Sequence, residues 1–469
     1  MKKIIYASIF LAITNQLFAS KTLLIPRSVT TDATHELTLT YYQDTHHKKD
    51  KKFTCSFMAV PFYQASADQE KIAQYLLPYN STNLSVREDG LGTVGSPWLY
   101  LITAQGSRFN SSVCIKPQFE KVGVLLGARF NLDNITRGLW FSALLTPLQA
   151  INKLNACEIQ NGATGALSGY SSVLQALNNY CTQFWCTKTK KGGLDDIQLK
   201  MGYSFRPIKD RLNVEGYLVG IIPTSPKPQA CYFFEPIVGN GGHGGLGFGL
   251  SGFVDGKKEK IAHWSWLFDV KYWYLFSNTQ ARAFDLTNGD WTRYLLGAFE
   301  EVPELGFPLL PLLVRCAKVT PGSQLSLWQA LHYQHNHLHA EFGASFWYRQ
   351  QEHMCLGNVN FGTLGIYDLL GMRLGIATSA SQATIDQTSG SQNSVKSDTT
   401  FKKLTAGEIN CCSAAQPRAY TFKFFGSIGY GSTERIHPLL AGLSAFYEVA
   451  NSSSALSQWG ILAKLGVNF

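Results

Sequence analysis

The last ten residues of this chain constrain its fold more than any other stretch. From Gly460 to Phe469, Ile461, Ala463, Leu465, Val467 and Phe469 alternate with Leu462, Lys464, Gly466 and Asn468. Successive side chains of a strand point to opposite faces, so this is a β-strand with one oily and one mostly wet face. It runs unbroken to a terminal phenylalanine.

The opposite end reads as an export signal. Met1-Lys2-Lys3 precedes an apolar run from Ile4 to Ile13, then Asn15, Gln16 and Leu17-Phe18-Ala19-Ser20. A basic start, a short apolar core and a small residue at the cut describe a secretory signal peptide. Residues 1–19 are the expected signal, cleaved after Ala19, and 20–469 the exported domain. The apolar core falls well short of the roughly 20 residues that a membrane-spanning helix needs. No other stretch reaches that length, and the most apolar piece, Leu309 to Val314, is broken by Pro311. A barrel strand, however, needs only about 9–11 residues and buries one face in lipid. With 16% charged residues, 13% aromatic residues and 42 glycines, the composition suits that case. In an exported chain, a terminal strand closing on an aromatic resembles the assembly signal of bacterial outer-membrane barrels. That likeness assigns the role to Leu465, Val467 and Phe469.

Further period-2 segments fill the middle of the chain. Ile197, Leu199, Met201, Tyr203 and Phe205 oppose Gln198, Lys200, Gly202 and Ser204. Trp264, Trp266, Phe268, Val270, Tyr272, Tyr274 and Phe276 oppose Ser265, Asp269 and Lys271. The pattern recurs over Lys121–Phe130, Ala340–Arg349, Tyr420–Phe424 and Leu439–Val449. A soluble β-sandwich has the same period. The distinction lies in an oily face that is aromatic-rich at both ends, as interfacial girdles require.

Tight connections at Asn131–Arg137, Pro207–Arg211 and Asp255–Lys260 alternate with long ones at about 146–194, 278–334 and 377–414. The expected fold is all-β: a transmembrane, antiparallel, up-and-down barrel with tight periplasmic turns and long outer loops. The strand count comes to about 14, with about 12 as the alternative. A first hairpin is expected from Glu36–Tyr42 and Phe53–Tyr63. Residues 64–113 are a loop, one more strand or a segment inserted in the lumen, and Ser168–Tyr180 could form a short helix.

The stretches Phe234 to Gly241, Val319 to Gln324 and Ala455 to Phe469 resemble a family of uncharacterised, porin-like outer-membrane barrels of Gram-negative bacteria. The likeness runs from about Phe119 to Phe469. It implies a barrel in the bacterial outer membrane, with the lipid bilayer, lipopolysaccharide and the barrel-assembly machinery as partners, but no particular solute. The layout of turns and loops is also similar to larger hydrocarbon and fatty-acid channels.

Candidate chemistry is sparse. His335, His337 and His339, with His332 and Glu341 nearby, could hold a metal ion if they share one strand face. A polar rim is the plainer reading, and the histidine run departs from the family pattern. Gly239 to Gly245 carries the glycine spacing of a phosphate loop but precedes a strand rather than a helix and lacks the following Lys-Ser or Lys-Thr, so it reads as a place for close packing. No G-x-S-x-G elbow occurs, so neither an enzyme nor a cofactor is expected. Ten cysteines in an exported chain point to disulfides, among which Cys181 and Cys186 could staple one loop.

The formal charge of +9 fits a lumen that prefers anions and gives no support of its own to nucleic-acid binding. Lys121, Arg129, Lys200, Arg206, Asp269, Lys271, Glu341, Arg349 and Lys423 are the expected lumen and selectivity residues. The expected function is a porin-like channel for passive diffusion of small polar or anionic solutes. The alternatives are a structural or host-contact barrel acting through disulfide-stapled loops, and a channel for hydrophobic compounds.

Overall fold

The structure is a computed structural model describing residues 20–35, 54–103, 108–162, 169–180, 185–208, 211–256, 262–368, 377–387, 397–432, 438–451 and 454–469. The expected signal peptide and the expected strand Glu36–Tyr42 lie outside the described residues.

Twelve antiparallel strands close into a ring. They are β1 (Thr54–Ser66), β2 (Gln118–Asn131), β3 (Leu139–Leu145), β4 (Ile197–Ile208), β5 (Leu212–Ile222), β6 (Gly245–Asp255), β7 (Ala262–Leu275), β8 (Gly322–His335), β9 (Leu338–Arg349), β10 (Ala419–Ser432), β11 (Leu439–Ala450) and β12 (Gln458–Asn468). Each neighbours the next in chain order, and β1 closes the ring by pairing with both β12 and β2. The count is the smaller of the two expected. Two further strands outside the ring, Pro147–Lys153 and Lys188–Leu194, prolong β3 and β4 beyond breaks at Thr146 and at Asp195-Asp196.

Burial runs opposite to that of a soluble protein. Leu218, Phe342 and Ile428 are each 68% exposed on the outer wall, whereas Lys121, Lys271, Lys423 and Glu448 are at most 1% exposed. Only lipid makes an outward apolar wall favourable, and every strand of the ring is paired on both edges, as a lipid-embedded sheet requires. Among the described residues no helix is long and apolar enough to cross a membrane; the crossing is made by strands. Aromatics mark both margins: Trp264 and Tyr333 pack at 4.4 Å near the turns, and Tyr63 and Trp459 at 5.7 Å near the loops. This is a barrel of the bacterial outer membrane.

The C-terminus and the short connections share one end, and the long connections share the other. The stretch 278–334, expected to be one loop, stops at Pro321. β8 escapes a reading by period because Trp328 faces inward while Gln329 faces out, which blurs its alternation. At the loop end, small sheets form a cap, among them a four-stranded one built from Val94–Gly95, Asn83–Arg87, Asn110–Ile115 and Ala156–Gln160. Helices Gln69–Leu76 and Val173–Tyr180 belong to the same loops. Residues 64–113 therefore build mostly cap rather than lumen. The cap has its own core, in which Trp185 stacks on Phe233 at 4.2 Å and Trp291 lies 4.7 Å from Tyr294. The nine described cysteines are free thiols, and Cys181 is outside the described residues.

Candidate functional site

The site is the lumen, and the chain itself fills it. Residues 20–35 pass from the cap into the barrel as an inner segment with no ladder of its own. Its polar content (Lys21, Thr22, Arg27, Ser28, Thr30, Thr31, Asp32, Thr34, His35) suits a wet interior, and Pro26 favours an extended path. Arg27, Ser28, Thr30, Thr31, Asp32 and His35 are all buried.

A segment without a ladder must place its backbone groups elsewhere, and here the wall takes them. Near the cap, Tyr75 donates its hydroxyl to the Leu23 carbonyl at 3.0 Å, and Gln416 Oε1 accepts from Ile25 N at 3.2 Å. Three wall cations donate to segment carbonyls. Arg349 Nη1 reaches Ile25 O at 3.0 Å, Lys121 Nζ reaches Arg27 O at 3.1 Å, and Lys271 Nζ reaches Thr31 O at 3.0 Å. Asp195, at the break before β4, accepts from Ser28 Oγ and Val29 N at 2.9 Å each and from Thr30 N at 3.2 Å. Deeper, Asp32 pairs with Arg27 at 3.6 Å and with Lys423, which lies 3.3 Å from Glu448. His35 ends the described segment against the rings of Phe62 and Phe446.

Outside the segment's contacts, the wall pairs with itself. Arg129 and Glu215 meet at 2.8 Å, Tyr217 donates to Asp269 at 2.6 Å, and Lys464 lies 4.0 Å from Glu341. Glycine on β6 makes room for this. A Cβ on Gly249 would lie 2.3 Å from the Tyr217 ring, so this glycine serves close packing.

Most expected lumen residues are therefore on the inner wall and buried: Lys121, Arg129, Lys200, Asp269, Lys271, Glu341, Arg349 and Lys423. Arg206 is not among them. It is exposed at the periplasmic end of β4, where the register with β5 shifts between Phe205 and Ile208 and the inward alternation is lost. The expected metal set is not assembled. The chain reverses at Asn336-His337, which leaves His335 exposed and His337 against the Gly431 carbonyl at 3.1 Å. Of the three only His339 faces inward, 3.1 Å from His332, and no group of three or more His, Cys, Asp or Glu placed to hold a metal forms among the described residues. Leu465 and Phe469 face outward from β12, and Phe469 packs on Phe57 at 5.9 Å.

Arg27, Asp32 and Asp195 are the functional residues that sequence reasoning passed over. The segment has neither a period nor a motif. The one available signal was the adjacent acid pair Asp195-Asp196 at the end of a long predicted loop. Asp196 holds the opposite side of that joint, accepting from Asn240 N at 2.8 Å and Ser225 Oγ at 2.7 Å. Burial, followed by the charge of Asp195, pushes its carboxyl up to about 7.

No protein-family model matches the chain, and no curated protein matches it. Among solved structures, it is similar to an outer membrane channel from Pseudomonas putida F1, at 8% identity over 88% of this chain and 95% of that one, with a TM-score of 0.37. It is similar to the transport unit of the autotransporter AIDA-I from Escherichia coli, at 7% identity over 92% and 96%, with a TM-score of 0.34. A Pseudomonas aeruginosa FadL homologue gives 6% identity over 90% of each chain and a TM-score of 0.27. Likeness at this level carries no argument about what passes through the barrel.

Proposed function

We propose that this protein is an outer-membrane channel for small polar solutes, anions preferred, closed in this state by its own N-terminal segment. The observation that carries the reading is the use of Lys121, Lys271 and Arg349 to hold uncharged carbonyls of that segment. Withdrawal of the segment would turn these cations toward the freed path. It would also remove Asp32 from Lys423, leaving a wall richer in cations than in acids. So charged a wall is a poor route for hydrophobic compounds.

A second reading rests on the cap, whose buried Trp98, Trp185 and Trp291 make it a folded unit in its own right. It could act as a contact surface above a permanently sealed barrel. One experiment separates the two. The mature chain and a variant lacking residues 20–35 are reconstituted in planar bilayers, with folding checked by heat-modifiable gel migration. The channel reading expects few openings from the full chain, and stable, ohmic, anion-preferring conductance from the shortened one. A folded but silent shortened barrel, or one that prefers cations, would overturn it. If the deletion does not fold, Asp195→Asn serves as the milder release, with more frequent openings expected.

A further inference from the structure

Two guanidinium groups crowd one indole inside the barrel. Arg27 of the inner segment and Arg349 of β9 each place their guanidinium carbon 5.7 Å from the Trp347 ring centre. Both line a cavity of about 20 Å³, together with Asn240, Gln324, Trp347 and Glu352. Arg27, Arg349 and Asn240 are only 8%, 5% and 8% exposed. Even so, Arg27 Nε and Nη1, Arg349 Nε and Asn240 Nδ2 have no hydrogen-bond partner among the described residues.

The two cations are not equally balanced. Arg27 lies 3.6 Å from Asp32 and 4.0 Å from Glu448. Arg349 donates to the carbonyls of Ile25, Pro417 and Ser454, and among the described residues no carboxylate lies within ion-pairing distance of it. The one acid on the lining, Glu352, is already engaged by Arg282 at 3.4 Å and by Gln416 N at 2.9 Å.

A buried cation without a counter-charge is costly, as is each buried donor left unpaired. The cavity is large enough for one water-sized sphere. A water there would bring two protons of its own into a ring of donors. A monatomic anion brings none and carries the charge that Arg349 lacks. We propose that this cavity binds one small monovalent anion of the halide class, bridging the inner segment, β9 and the loop that carries Asn240. The assignment stands on the local geometry and does not depend on conduction.

The test uses the mature chain in non-ionic detergent. Its thermal unfolding is followed in chloride, in bromide and in gluconate at equal ionic strength. Halide should raise the midpoint in a saturable way that gluconate does not reproduce. Arg349→Gln should remove that dependence while keeping folded-barrel gel migration. If Arg349→Gln does not fold, Asn240→Asp, which sets a carboxylate against the ion, should weaken apparent halide affinity by about tenfold or more. Crystals grown in bromide should give an anomalous peak between Arg27 and Arg349. Identical unfolding in halide and gluconate, a halide effect retained in the variants, or water-like density without anomalous signal would each overturn the assignment.

Discussion

Arg129 on β2 and Glu215 on β5 are separated in the ring by β3 and β4, yet their side chains meet at 2.8 Å within the lumen. The pair is two-pronged and buried, and Glu215 accepts further bonds from Ser204 and Asn213. Removing one partner of a buried pair strands the other charge, at a cost of about 3–5 kcal/mol. Glu215→Gln should lower the temperature at which the barrel loses its heat-modifiable gel mobility. Replacing both residues with leucine should restore most of the loss. An unchanged transition in Glu215→Gln would argue that the pair is hydrated and weak.

Asp195 fixes the inner segment through two backbone amides and one hydroxyl. Hydrogen bonds to a charged group contribute about 1.5–3 kcal/mol each, so Asp195→Asn should loosen the segment before it affects the ring. Hydrogen exchange at Val29 and Thr30 should quicken at least tenfold, while exchange in β7 stays as it was. Equal protection in wild type and variant would remove Asp195 from this role.

Asp196 gives a pH dependence whose sign is fixed by its shift. Its carboxyl is pushed up to about 7 in the folded protein, against about 3.9 in an unfolded chain. Between those values the folded state binds more protons, so this group's contribution to stability falls as pH rises from about 4 to about 7. Unfolding midpoints measured from pH 5 to 8.5 should decline more steeply for the wild type than for Asp196→Asn. Parallel curves would mean that Asp196 ionises normally.

Phe342, 68% exposed on the lipid face of β9, should not tolerate charge. Phe342→Arg is expected to cost about 2–4 kcal/mol if the site lies near the bilayer midplane. Arg206→Ala, at the exposed periplasmic end of β4, should be near neutral. Urea titrations of folding into vesicles report both, and comparable losses at the two sites would contradict the assigned bilayer position.

Disulfide formation has a specific candidate in the cap, where Cys114 stands opposite Cys157 in antiparallel register. Such pairs have Cα atoms about 4.5–5.5 Å apart, inside the roughly 4.4–6.8 Å that a disulfide spans. Under an oxidising thiol–disulfide buffer, a non-reducing peptide map should recover these two cysteines linked. Recovery of both as alkylated thiols would show that the cap stays reduced.

The strands were legible because their signal is local. Alternation along Trp264 to Phe276 needs only the pleat, and it named both faces of β7 correctly. β8 was lost in a predicted loop because its inward Trp328 and outward Gln329 invert the usual chemistry at adjacent positions. Arg206 was misplaced because a register shift, invisible in a list of residues, ended the alternation just before it. The three histidines do not share one face, as the metal alternative required, because one two-residue turn divides them between a strand end, the turn itself and the next strand.

By itself the sequence determined an all-β chain with aromatic-girdled strands, tight turns at one end and long loops at the other. Each of those properties is carried by residues within a few positions of one another. Only the tertiary structure decided that the ring closes at twelve strands and that the lumen is filled. Residues 20–35 have no period to betray them, since their backbone is satisfied by Lys121, Asp195, Lys271 and Arg349. Those partners lie about 90 to more than 300 positions further along the chain. Local periodicity cannot encode a partner so far away, and closure of the ring is what brings the four to one place.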